Sequence, residues 1–157
     1  MFIKARRFKH LFIFFILILF SENCYSKKDN SLLFHGGYTF ETFKGQKSCA
    51  VYLSIFNNTE TDFIIRSIET SIANKAEIHN VNFRDDIVKM IMIKNFKIEK
   101  NSQIYFQPSG KHIMLMGLNR DLFDGQSFKL KFYFENEEIV ETQILVVNKE
   151  LRENYLN

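Results

Sequence analysis

Two histidines and two methionines are spaced so that their side chains could share one metal ion. In the run Gln107–Leu118, QPSGKHIMLMGL, successive side chains of a strand alternate faces, so His112, Met114 and Met116 lie on one side and Ile113 and Leu115 on the other. A core strand would normally carry a β-branched residue where His112 stands. Upstream, Ala76–Arg84 and Ile87–Ile93 read as a hairpin turning at Asp85–Asp86. A two-residue turn pairs Val81 with Met90 and His79 with Met92, and a four-residue turn gives the same register. His79, Met90 and Met92 then share a face, whereas an odd-numbered turn would send Met90 to the far side. The two segments together offer His79, Met90, His112 and Met114, with Met92 and Met116 in reserve.

Two imidazoles and two thioethers are a soft, uncharged donor set, which favours Cu(I) over Zn(II), Ca(II) or Mg(II). Methionine needs no deprotonation to bind, and it escapes the disulfide chemistry that consumes cysteine in an oxidising compartment. Neutral donors also hold the ion less firmly than thiolates would, as suits a carrier that must let go. Against this stands the ordinary role of Met on a strand, which is core packing. His35, just before two glycines, reads as a plain exposed residue, and Cys49, inside SCAVYLSIF, as a small buried hydrophobe.

The elements that must position these donors are strands. Apolar and polar residues alternate over short segments punctuated by turn residues about every ten positions, which predicts an all-β sandwich or barrel. The strands expected are Leu33–Phe43, Cys49–Asn57, Phe63–Thr70, Ala76–Arg84, Ile87–Ile93, Gln103–Gln107, His112–Met116, Ser127–Phe134 and Ile139–Val147. Gly36–Gly37 marks a bulge or an edge, Ser71–Lys75 a single helical turn, and Pro108–Gly110 a type I turn. Of the 18 phenylalanines, Phe40, Phe43, Phe56, Phe63, Phe132 and Phe134 are expected to fill the core, with Phe123 over a loop or edge.

The first 26 residues are of another kind. Lys4, Arg6, Arg7 and Lys9 precede an apolar run, Leu11–Phe20, too short to span a bilayer. This is the pattern of a secretory signal, with cleavage expected after Ser26 and lipid attachment at Cys24 as the competing outcome. The division predicted is residues 1–26 as signal peptide, 27–148 as one β domain and 149–157 as a polar tail, with no membrane span in the mature chain. The whole chain carries 21 Lys+Arg against 18 Asp+Glu; the leader holds four basic residues and one acidic, leaving 17 of each. The apparent basicity thus belongs to the leader and argues for no nucleic-acid partner. With His10 and Cys24 in the leader, Cys49 remains alone, which removes a Cys-x-x-Cys redox pair. No nucleophile elbow or phosphate loop is visible, so no enzyme is expected.

The donors stand as His79, ten residues, Met90, twenty-one residues, then His112-x-Met114. This resembles the PCu(A)C-type periplasmic copper chaperones, as do the segments AVYLSIFNN, EIH, PSGKHIMLMGL and LFDGQSFKLKFYF. The resemblance implies a cupredoxin-like Greek-key β-sandwich holding one Cu(I) through His79, Met90, His112 and Met114. It also implies a periplasmic protein that supplies copper to the binuclear copper centre of cytochrome c oxidase. Subunit II of the oxidase and other copper-assembly proteins are the expected partners, and a monomer is the expected state. Copper buffering without a dedicated recipient stays open. Asp85–Asp86–Ile87 departs from the glycine-containing turn frequent in that family, and Asn80 replaces a residue that is often Met or Glu. No Met- and His-rich C-terminal extension is present.

Overall fold

The structure, a computed structural model, describes residues 31–84, 87–148 and 150. The expected signal peptide with Cys24 and His10, the expected turn at Asp85–Asp86 and nearly all of the expected tail lie outside the described residues. Ten strands run in the order β1 (Leu32–Phe40), β2 (Ser48–Asn57), β3 (Phe63–Glu69), β4 (Ala73–Arg84), β5 (Ile87–Met92), β6 (Phe96–Ile98), β7 (Ser102–Phe106), β8 (His112–Leu118), β9 (Ser127–Phe134) and β10 (Ile139–Val147). The fold is the expected all-β Greek key, closed into a barrel. The ladder β4–β8–β2–β1–β10–β9–β3 returns to β4 through a bridge between Ile68 and Ala76. Strand β5 adds to the free edge of β4, and β6 to that of β3. Among the described residues no helix is long and apolar enough to cross a membrane.

Alternation decides what fills the barrel. On β2, Cys49, Val51, Leu53 and Ile55 point inward, meeting Ile113 and Leu115 of β8, Leu130 and Phe132 of β9, and Ile144 and Val146 of β10. The even-numbered positions of β2 are left on the outer face. Phe56 is therefore only half-buried there and contacts Tyr105 edge-on. Phe63, Phe132 and Phe134 are buried, but Phe40 is half-buried on the outside and Phe43 is 65% exposed beyond the end of β1, so these positions correct the expectation of a core role. Phe123, at 57% exposure, lies on a loop.

Glycines at the bulge in β1 switch which face the strand presents. The β1–β2 register slips between His35 and Tyr38, with Gly36 at φ 65°. Phe34 before the slip packs 4.6 Å from the Phe132 ring, whereas Tyr38 and Phe40 after it emerge on the outer face beside Tyr52. Gly37 also sits where an added Cβ would meet the Gln143 carbonyl at 2.8 Å, a close approach only glycine allows.

Other differences from the sequence expectation have local causes. Residues Ser71 and Ile72 form a turn and β4 starts at Ala73, so no helical turn exists there. Strand β6, which the sequence analysis did not anticipate, is three residues long and visible only through its pairing with Phe63–Ile65. Asn57, fully buried at the end of β2, donates to the carbonyls of Thr61 and Glu99 and accepts from Thr59 N–H and Oγ1. Asn57→Ala strands these groups, and unfolding in urea should register a loss of about 3 kcal/mol with unchanged slope.

Candidate metal centre

Strands β7 and β8 run in line, both antiparallel to β2. Phe106 pairs with Leu53 and Ile113 with Val51. Residues 107–111 between them are pinched out as a tight excursion closed by Gln107 N–H to Lys111 O, 2.8 Å, and Gly110 N–H to Gln107 O, 3.1 Å. Pro108 occupies the second position of this turn as anticipated. Ser109, however, has φ 62°, which belongs to a type II turn and not to type I. The excursion returns the Gly110 carbonyl to His112, whose Nδ1–H donates to it at 3.0 Å. That bond fixes the tautomer and leaves Nε2 bare.

His112 opens β8 directly across from His79 on β4; their ring centroids are 6.0 Å apart and inclined at 53°. Met114 follows two residues on, between Glu77 and Ala50 in the neighbouring strands. Hairpin β4–β5 has the register of a two-residue turn, with Val81 across from Met90 and His79 across from Met92. Ile113 and Leu115 point into the core, so the His112 and Met114 side chains have no alternative but the outer face.

A cleft of about 310 Å3 lies on that face, lined by Met90, His112 and Met114 with Val81, Ala50, Tyr52, Phe40 and Phe43 among others. Three of the four anticipated donors thus share one cavity, and the fourth, His79, is the neighbour of His112 in the ladder. Met90 is 59% exposed at the rim, while His112 is 6% exposed at the floor. Met92, despite facing His79 in the register, lines a separate cavity of about 290 Å3 with Glu77 and Ile78. Met116 is half-buried between Ser48 and Lys75, further along β8.

Each imidazole is held by a hydrogen bond at one ring nitrogen. Glu77 Oε2 accepts from His79 Nε2 at 3.1 Å. The opposite nitrogen, Nδ1, is buried and has no hydrogen-bond partner. A buried imidazole lone pair without a partner is costly unless something else occupies it, and a soft cation meets that need. Among the described residues no three His, Cys, Asp or Glu side chains converge on a metal position, so the thioethers are needed to complete a set. The contact from Glu77 to His79 is not legible in the sequence, because a carboxylate two positions before a strand histidine is too common to single out. The aromatic wall is likewise hidden in the sequence, because the slip in β1 turns Phe40 outward from an expected core position.

Cys49 also borders the cleft. Burial pushes its thiol above the ordinary range, opposed in part by a hydrogen bond with Thr39, which keeps it protonated and a poor ligand. His35 is exposed, as expected.

A Greek-key barrel of this connectivity is the PCuAC-type, cupredoxin-like fold. It superposes on the copper-bound PCuAC domain from PmoF2 with a TM-score of 0.63 at 12% identity, covering 74% of this chain and 92% of that one. It also matches the solution structure of CuI-DR1885 from Deinococcus radiodurans, TM-score 0.63 at 16% identity, over 81% of this chain and 85% of that one. Within this class, the chain belongs to the family described as "Putative lipoprotein LpqE-like", whose model matches residues 32–146. The uncharacterized protein RP573 of Rickettsia prowazekii (strain Madrid E) is 28% identical over 109 residues, 69% of this chain. The match spans 58% of the length of that relative.

Proposed function

We propose that this chain is a periplasmic Cu(I)-binding metallochaperone, holding one ion through His79, Met90, His112 and Met114 and releasing it without turnover chemistry. The observation that carries the proposal is the convergence of Met90, His112 and Met114 on one cleft, beside a His79 ring whose buried Nδ1 has no partner. The copper-bound state of the PmoF2 domain and of DR1885, which share the fold, supports the same metal. Soft neutral donors select Cu(I) and surrender it by ligand exchange. We further propose secretion behind a leader cleaved after Ser26, leaving residues 27–148 as the copper-binding domain and 149–157 as a tail. The recipient would be the binuclear copper site of cytochrome c oxidase, as the resemblance to copper chaperones implies.

Mass spectrometry of the secreted chain, with and without Cu(I), tests processing and metal count together. One copper per chain and an N-terminus at Lys27 are expected; a chain that takes up no Cu(I) overturns the reading. In a deletion strain, failed oxidase assembly supports delivery, whereas copper sensitivity alone reassigns the protein to buffering. Glu77→Ala should weaken Cu(I) binding about tenfold, because a ligating imidazole loses the partner that orients it. Competition with a chromophoric chelator measures this.

A further inference from the structure

The cleft is far larger than one ion requires, and its walls and rim have a chemistry of their own. Its volume, about 310 Å3, is that of a small-molecule pocket. Tyr52 and Phe40 present aromatic surface on one side, and Phe43, 65% exposed, on the lip. Lysines flank the lining residues in sequence: Lys44 follows Phe43, Lys47 follows Gln46, and Lys111 precedes His112. All three are exposed.

Elsewhere on the barrel, three lysines are paired with carboxylates, whereas Lys75 and Lys94 are not, among the described residues. Lys97 pairs with Asp62 at 2.8 Å, and Lys129 and Lys131 share Glu141. Lys44, Lys47 and Lys111 have no carboxylate partner among the described residues. The nearby acids are Glu41 in the cleft wall, Asp121, which accepts from Gly45 N–H, and Glu77, engaged by His79. Lys44, Lys47 and Lys111, each next in sequence to a lining residue, thus form a positive collar beside a cleft whose own lining carries Glu41. Such a collar repels a bare copper cation and focuses anions.

Resting on the copper reading above, we infer that the cleft exchanges its ion with anionic small-molecule Cu(I) chelates of aromatic or other apolar body. The ligand's charge meets Lys44, Lys47 and Lys111, its body lies against Phe43, Phe40 and Tyr52, and its copper passes to His112, Met114 and Met90 by ligand substitution. Copper stays Cu(I) throughout, so no electron moves; each donor bond formed on the protein replaces one broken on the chelate.

Two chelators with the same phenanthroline core separate the charge effect from the rest. Bathocuproine disulfonate is a dianion and neocuproine is uncharged. The rate at which each removes copper from the loaded full chain, with ascorbate present, is followed by the colour of the Cu(I) complex. Raising NaCl from about 10 to about 300 mM should slow extraction by the dianion about fivefold and that by the neutral probe less than twofold. In a Lys44→Ser, Lys47→Ser, Lys111→Ser chain, the ratio of the two rates should fall about fivefold at low salt. A salt-independent dianion rate, or an unchanged ratio in the variant, overturns the inference alone. A wild-type chain that never loads Cu(I) overturns the copper reading with it.

Discussion

A His112→Ala, Met114→Ala chain should bind Cu(I) about a thousandfold more weakly than the unaltered protein, since loss of outer-shell partners alone typically costs ten- to a hundredfold. The reasoning is geometric. Both side chains leave the outer face of β8, Ile113 and Leu115 anchor the inner face, and the strand is held on one side by β2 and on the other by β4. The substitution therefore empties the floor of the cleft and leaves the barrel closed. Metal-linked stability gives a second measurement. Free Cu(I) at a hundred times its dissociation constant should stabilise the unaltered chain by about 2.7 kcal/mol, and the double variant should show no such rise. Unchanged affinity in the variant would remove β8 from the site.

Phe132→Ala should cost about 4 kcal/mol of folding stability. Phe132 is fully buried, lies across β9 from Val140 and Ile68, and packs its ring 4.6 Å from Phe34. It sits where β3, β9 and β10 meet, so no neighbour can collapse into the space without breaking a ladder. Urea unfolding of the metal-free chain should show a lower midpoint at unchanged slope. Copper stoichiometry below the new transition should remain one per chain under the proposed function, because Phe132 points into the barrel and not onto the outer face.

The sequence made the donor hairpin legible for a simple reason. Strand period and turn length are both integers, so an even-numbered turn between the two segments dictates which partners face each other, and Val81 with Met90 is the observed pair. The same arithmetic gives the alternation on β8. What escaped were features whose cause lies far away in the chain. The bridge of Ile68 to Ala76 closes the barrel through a single pair, and nothing local in either segment announces it. Strand β6 exists only because Phe63–Ile65 offers it an edge. Phe40 reads as core until the slip at Gly36–Gly37 turns it outward, and a glycine pair marks an irregularity without stating which face follows. Ser109 in a left-handed conformation was not foreseeable, because serine carries no strong preference for that region.

The pinched excursion at 107–111 gives this protein a natural grafting point. Because the flanking strands are zipped to the same partner, residues inserted after Ser109 would lengthen a protrusion over the cleft without disturbing the ladder on either side. Relatives or engineered versions can therefore change what stands above the cleft while the barrel beneath stays the same. Loop surgery there offers a dial on access to the cleft that is separate from the residues at its floor.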